Sequence, residues 1–289
     1  MTDLSICILA LNSRDYLRNC LDSIEEFPPE GEYEVLVADN GSDDGTVEML
    51  EQEYPQVRLF RFERNLGFSI PNNQMLHQAK GEFLLALNPD TKLIEDCFNP
   101  QLKYLRGNTD VGISIPKVLN ADGSFQRQSR RGEARPVEVI GNFTGLGKLF
   151  SHSRALNGYL MSWLPEDEIA EVKAVSGSCM FIRRETWEQV GGFDENFFAY
   201  QEDSDYCLRA REKGWKVMYV PLSRIIHYGG KGGSKAQPVH SIYQWHRSYY
   251  LYYRKHFAKD YFFLFNWFYY LLMIGKFALA LLKNMFQRH

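Results

Sequence analysis

The feature that most limits the fold is a plan repeated along the first ninety or so residues: a short apolar run, a polar turn, then a helical stripe. "LSICILA" is rich in Ile and Leu, as a strand covered on both faces must be. Ser13 then stands at a helix-capping position, ahead of a stretch whose Tyr16, Leu17, Cys20, Leu21 and Ile24 share one helical face. "YEVLVADNGSDDGT" repeats the plan, with a helix from about Thr46 to Tyr54. "VRLFRF" and "EFLLALN" read as further strands on either side of a helix from about Ile70 to Lys80. Such alternation predicts βαβ units and an α/β fold with a central, mostly parallel sheet. Ligands of such sheets sit beyond the carboxyl ends of the strands, here "ALNSR", "ADNGSDDG" and "LNPDT".

The chain has 289 residues, 45% of them hydrophobic, enough to bury a core in one large domain or two small ones. Its net charge of -3 is uneven, because the stretch from His240 onward carries seven Lys/Arg against one acid. The tail is therefore chemically distinct, and nothing in the acidic remainder suits a nucleic-acid partner. Cys7, Cys20, Cys97, Cys179 and Cys207 lie apart in apolar contexts without a C-x-x-C pair, which predicts buried free thiols in a reducing compartment. "MTDLSICILALN" has neither a basic n-region nor a small-residue cleavage site, so the expectation is a cytoplasmic body. A dinucleotide fingerprint would need glycines in "ALNSRDYL", where there are none, and no P-loop pattern occurs.

Four places carry polar groups that chemistry can use, and each has a plainer structural alternative. Asp39 and Asn40 follow the strand "EVLVA"; they can meet a nucleobase or ribose, or simply form an Asx-turn and helix cap. "NPD" ends the fourth strand, and Pro89 presents Asp90 at the sheet edge, as a ligand for a hard divalent cation or as a cap for "TKLIED". "EDSDYCLRAREKG" predicts a helix from about Glu202 to a stop at Gly214, with Asp205 and Arg209 paired as scaffold at i,i+4. Glu202 and Asp203 fall in its first turn, where the helix dipole favours ionised carboxylates: a usable general base, or mere dipole compensation. His227 closes "VMYVPLSRIIH" before the Gly-rich "YGGKGGS"; it is a structural histidine or, with Asp90, a mixed cation site under a mobile loop.

The order of these segments is more specific than any one of them. "ALNSR", "ADNGSDDGT", "NLGFSIPNN", "LNPD", "SGSCMFIRRETWEQVGGFDENFF", "QEDSDYCLRA" and a His-Gly-Gly turn resemble, in that sequence, a family-2 inverting glycosyltransferase. The likeness runs from about Leu4 to Gly233, and "NLGFSIPNN", "DGSFQRQSRR" and "GGFDENFFAYQEDSD" are most similar to the bacterial rhamnosyltransferase-like branch. The resemblance implies a single glycosyltransferase A (nucleotide-diphospho-sugar transferase) domain over residues 1–238, its irregular part after about Val111 facing the acceptor. It implies donor contacts at Leu11, Asn12, Arg14, Asp39, Asn40, Gly67, Asn73, Asn88 and Asp90, and a divalent metal, Mg2+ or Mn2+, at Asp90 and His227. Asn88 replaces the first acid of the family's D-x-D triplet, which predicts a weaker contact there. Asp203 matches the catalytic base with Glu202 as its partner, while Arg127, Arg130, Arg131 and Lys231 are candidates for the diphosphate or a charged acceptor.

The resemblance further implies a dTDP-rhamnose donor and a polyprenyl-diphosphate-linked saccharide acceptor in cell-surface polysaccharide synthesis, with a UDP- or GDP-sugar as the alternative donor. A non-catalytic, membrane-bound sugar-nucleotide-binding subunit is the alternative of a different class. A glycoside hydrolase would need two carboxyl groups astride the bond, and no second acid is placed for that. Residues 239–289 form the second region: "YFFLFNWFYYLLMIGKFALALL" is long enough to cross a bilayer, but Asn266, Gly275 and Lys276 interrupt it. An interfacial helix on the inner face of the cell membrane, a spanning helix and a core or homo-oligomer contact all remain open for it.

Overall fold

The computed structural model describes residues 2–144, 153–230 and 238–286. In chain order the strands are β1 (Leu4–Ala10), β2 (Tyr33–Asp39), β3 (Arg58–Arg61), β4 (Phe83–Leu87), β5 (Thr91–Leu93), β6 (Val111–Leu119), β7 (Arg130–Arg131), β8 (Ala170–Glu171), β9 (Ala174–Val175), β10 (Cys179–Arg183) and β11 (Lys216–His227). Among the described residues they form a nine-stranded sheet in the order β3-β2-β1-β4-β10-β6-β11-β5, with β8 on β11, and a β7-β9 ribbon. β1 to β4, β6 and β11 run the same way, while β5, β8 and β10 oppose them, so the sheet is mostly parallel as predicted. β4 is buried at every position and β1 at all but one, which explains their continuous apolar sequences.

The connections decide where a ligand can sit. From β1 the chain steps outward through β2 and β3, then returns to β4 on the other side of β1, leaving a switch point at the carboxyl ends of β1, β2 and β4. β10 enters antiparallel with Cys179 opposite Leu87, which brings the preceding Ser176 to Ser178 to that same edge. β5 folds back along β11 with Thr91 opposite His227, so the residue before Thr91 lies beside the end of β11.

The helices are α1 (Arg14–Glu26), α2 (Thr46–Glu53), α3 (Ser69–Gln78), α4 (Phe98–Gly107), α5 (Pro136–Thr144), α6 (Arg154–Asn157), α7 (Arg184–Val190), α8 (Glu202–Glu212), α9 (Pro238–His256) and α10 (Phe263–Phe286). One local expectation needs correction. Ser13 is the N-cap residue of α1, but its hydroxyl makes no capping bond; Asp44 reaches across to accept from the Arg14 amide at 2.9 Å. The αL turn at Gly41 and the Asp39 Asx-turn bring the Asp44 loop within that reach.

The large core lies on both faces of the sheet, and all five cysteines are buried within it as free thiols. A second cluster joins Tyr159, Phe197 and Leu208 to Tyr249, Tyr252 and Tyr253 of α9 and Tyr269 of α10. α9 therefore packs on the body although it begins at the boundary expected near residue 238. Its end is tied to α8: the Asp205 carboxylate, fully buried, meets Arg209 at 2.7 Å, Lys255 at 2.6 Å and His256 at 2.7 Å. The polar interruptions of α10 face inward: Asn266 bonds Tyr253 and the carbonyls of Ala258 and Tyr261, and Lys276 lies over the Trp245 ring. Its apolar side chains point outward, Trp267 being 66% and Leu271 63% exposed.

Candidate active site

A cleft of about 890 Å³ opens where the switch point predicts, between the strand ends, the start of α8 and one face of α9. On the strand side, Asn12 and Asn40 are the organising residues. Asn12 accepts from the Asp43 amide and its own amide donates to Ser42, both at 2.9 Å, which locks the first two turns together. Asn40 donates to Asn65 at 2.9 Å and to the Gly67 carbonyl at 3.0 Å, and accepts from the Leu66 amide at 2.9 Å, pinning the "NLGF" loop over the sheet. Gly67 has φ +83°, and a Cβ there would come within 2.3 Å of the Phe198 carbonyl, so only glycine lets this loop reach the α8 approach. Asp39 uses Oδ2 for its own turn, accepting from Gly41 and Ser42, while its buried Oδ1 has no partner among the described residues. The Asx-turn and an unpaired buried acceptor thus coexist at the end of β2, although Asp39, unlike Asn40, is not among the residues that line the cleft.

The β5–β11 register brings the second group together. His227 Nε2 lies 3.2 Å from Asp90 Oδ1 and 3.1 Å from Asn88 Nδ2, and its Nδ1 donates to Gln126 Oε1 at 2.8 Å. With Nδ1 engaged by Gln126, Nε2 is the ring nitrogen that faces Asp90 and Asn88, the position from which it would ligate a cation shared with Asp90. The two groups are close enough together to share one hard divalent cation. Among the described residues no cluster of three or more metal-ligating side chains occurs, so substrate oxygens and water would supply the remaining ligands.

Facing them is the first turn of α8. Asp203 Oδ2 accepts from Arg131 at 2.6 Å and from the Gly177 amide at 3.2 Å, while Oδ1 accepts from the Ser204 amide at 2.6 Å and its hydroxyl at 3.2 Å. Burial opposes the Arg131 charge, yet the Asp203 carboxylate beside it holds the guanidinium firmly protonated. Glu202 departs from expectation. Burial first, and then the neighbouring Asp203 charge, push its carboxyl up to about 8, so the helix dipole does not keep it ionised at neutral pH.

The expected residues divide between the cleft and the scaffold. Leu11, Asn12, Asn40, Gly67, Asn88, Asp90, Arg131, Glu202, Asp203 and His227 all line the cleft. Arg130 does not: its guanidinium is buried between Phe125 and Tyr219 and donates to the Leu164 and Pro165 carbonyls, a scaffold role. Arg127 is exposed outside the cleft, Arg14 turns to Asp15 at 3.0 Å, and Asn73 donates to the Phe193 carbonyl at 2.9 Å. Lys231 lies outside the described residues. The sequence reading missed Gly177, Ser178, Tyr200, Gln201 and the α9 face of His240, Ser241, Gln244, Trp245 and Tyr249. The i, i+4 spacing of the α9 residues was a usable signal, masked by their position in a stretch read as membrane-associating.

A mostly parallel sheet with a switch-point cleft, an Asn-Pro-Asp turn on one side and a carboxylate pair on the other defines the glycosyltransferase A class. The mannosyltransferase PcManGT from Pyrobaculum calidifontis, solved in complex with GDP-Man and Mn2+, superposes with a TM-score of 0.56 at 18% identity, over 85% of this chain and 62% of that one. Residues 5–166 match the model of glycosyl transferase family 2, and residues 144–287 that of glycosyl transferase family group 2. The N-acetylglucosaminyl-diphospho-decaprenol L-rhamnosyltransferase of Mycobacterium tuberculosis is 30% identical over 230 residues, 75% of this chain and 73% of that protein. Rhamnosyltransferase WbbL of Escherichia coli is 24% identical over 232 residues, 77% of this chain and 82% of that protein. The chain belongs to glycosyl transferase family 2 and is a glycosyltransferase of the rhamnosyltransferase-like branch.

Proposed function

We propose that the protein is an inverting transferase that moves L-rhamnose from dTDP-rhamnose to a hydroxyl of a polyprenyl-diphosphate-linked saccharide, working from the cytoplasmic face of the cell membrane in surface-polysaccharide synthesis. The observation that carries the reaction class is the meeting, in one cleft, of the Asp203 carboxylate with the Asp90–His227 pair. The rhamnosyl group is supported by both rhamnosyltransferase relatives, and the polyprenyl-diphosphate-linked acceptor by the mycobacterial one.

In this scheme Asn40 and Asp39 hold the nucleoside at the strand ends, and Asn12 fixes the turns around it. Asp203 accepts the proton of the acceptor hydroxyl as that oxygen attacks the anomeric carbon. The new carbon–oxygen bond forms on the face opposite the departing diphosphate, which leaves with the electrons of the broken bond, and the configuration inverts. The long contact from Ser204 Oγ to Asp203, at 3.2 Å, is the one that an incoming hydroxyl would most easily replace. Arg131 orients Asp203 from the side. Asp90 and His227 would hold the divalent cation, which neutralises charge on the leaving diphosphate when bound. Membrane residence is supported by α10, which is apolar over residues 263–286, exposes its hydrophobic face and follows the basic Arg254, Lys255 and Lys259.

Calorimetric titration with dTDP, UDP and GDP, each with and without Mn2+ or Mg2+, tests this function. The expected result is metal-dependent binding that prefers dTDP. Preference for UDP or GDP would keep the transferase and replace the donor, and no binding by any nucleotide would contradict the proposed function.

A further inference from the structure

Several buried polar atoms on the cleft wall have no partner among the described residues. Ser178 Oγ, Gln201 Oε1, Glu202 Oε2 and Gln244 Oε1 all belong to cleft-lining side chains that are more than nine-tenths buried. Buried, unpaired polar atoms destabilise a fold, and they persist where a ligand's polar groups complete them. The two glutamines have further distinguishing features. Tyr200 and Gln201 are consecutive non-glycine residues in the left-handed region, at φ +68° and +65°, a strained turn that sets Gln201 two residues before Asp203. Gln244 projects from α9 beside Trp245, whose ring is held by Tyr249 at 4.2 Å between centroids and by Lys276 at 3.9 Å.

We infer that Gln201, Gln244 and Trp245 form the subsite for the sugar ring of the acceptor, the ring whose hydroxyl reacts. The inference rests on the transferase assignment proposed above and adds the residues that recognise the acceptor. Its chemistry is that of carbohydrate binding: amide side chains meet ring hydroxyls, and a rigid indole meets the apolar C–H face of the ring. Placement separates this wall from the donor. The donor side is built from strand ends through Asn12, Asn40 and Asp90, whereas Gln201 and the α9 face flank Asp203, which must touch the acceptor hydroxyl. The opposite side of α9 carries α10, with Tyr243 and His246 packed on Phe277, so a lipid tail of the acceptor would leave toward the apolar helix.

The test uses the full chain, dTDP-rhamnose and N-acetylglucosaminyl diphosphate on a short polyprenol, comparing wild type with Gln244→Leu and Gln201→Asn. Asparagine tolerates the left-handed backbone at 201, so that variant shortens the amide without releasing the turn. The acceptor KM should rise about tenfold in each variant, as loss of one hydrogen bond to a buried group predicts. The donor KM and the calorimetric Kd for dTDP should stay within about twofold of wild type. An acceptor KM that does not move in either variant, or a donor KM and dTDP affinity that worsen in parallel with it, overturns the subsite. A wild-type chain that transfers no sugar from dTDP-, UDP- or GDP-activated donors overturns the transferase assignment, and the subsite with it.

Discussion

Glu202→Gln separates two kinds of carboxylate standing side by side. Burial and the adjacent Asp203 raise the Glu202 carboxyl to about 8 from an ordinary 4.5, so at pH 7 the folded chain holds it mostly protonated. In the unfolded chain it is ionised across that range, so the folded state binds the extra proton, and stability must fall as pH rises through the folded value. Integrated from pH 7 to pH 9, the loss is about 1 kcal/mol, and glutamine, which mimics the neutral acid, lacks it. Urea unfolding of wild type and Glu202→Gln at both pH values measures this: the wild type should lose about 1 kcal/mol more than the variant. Activity supplies the companion result, because a residue already neutral at pH 7 can be exchanged for its neutral isostere with transfer kept within about threefold. Parallel stability profiles, or a Glu202→Gln enzyme as inactive as one lacking Asp203, would refute the reasoning.

Two further predictions concern the C-terminal helices. Burial would raise the Asp205 carboxyl, but the His256 hydrogen bond and the charges of Arg209 and Lys255 outweigh it and bring it to about 2 from 3.8. The contribution, about 2 kcal/mol, is present above the unfolded value and lost as pH falls through the folded one, so the stability gap between wild type and Asp205→Asn should narrow from about 2 kcal/mol at pH 7 to about 1 kcal/mol at pH 3; a gap that is constant with pH contradicts the network. Trp267→Glu with Leu271→Glu, both on the outer face of α10, should abolish co-sedimentation with phosphatidylglycerol vesicles while leaving dTDP affinity intact. If the double variant pellets as wild type does, the membrane role of that face is lost.

The sheet was legible because β1 and β4 are buried on both faces and their sequences are continuously apolar. The turns after them announced Asn12, Asn40 and Asp90 for the same reason: polar residues immediately after a buried run have to lie at its end. His227 and Asp90 lie far apart in sequence, and only the antiparallel return of β5 along β11 brings them together. Arg130 and Arg131 show what local reading cannot do. Adjacent and alike in sequence, they sit on opposite sides of a two-residue strand, one under Tyr219 and the other against Asp203. Glu202 was misjudged because a helix dipole acts on any first-turn acid, whereas its burial beside Asp203 is tertiary. The α9 wall was hidden by composition, since aromatic and basic residues suit a membrane surface and a sugar cleft alike.

The most direct test of the central claim is the rate of sugar transfer by Asp203→Asn at saturating dTDP-rhamnose and acceptor, measured beside dTDP binding. Loss of a general base that takes the acceptor proton should lower kcat about a thousandfold, with dTDP affinity within about twofold of wild type. Transfer that stays within about tenfold of wild type would remove Asp203 from the reaction and contradict the mechanism.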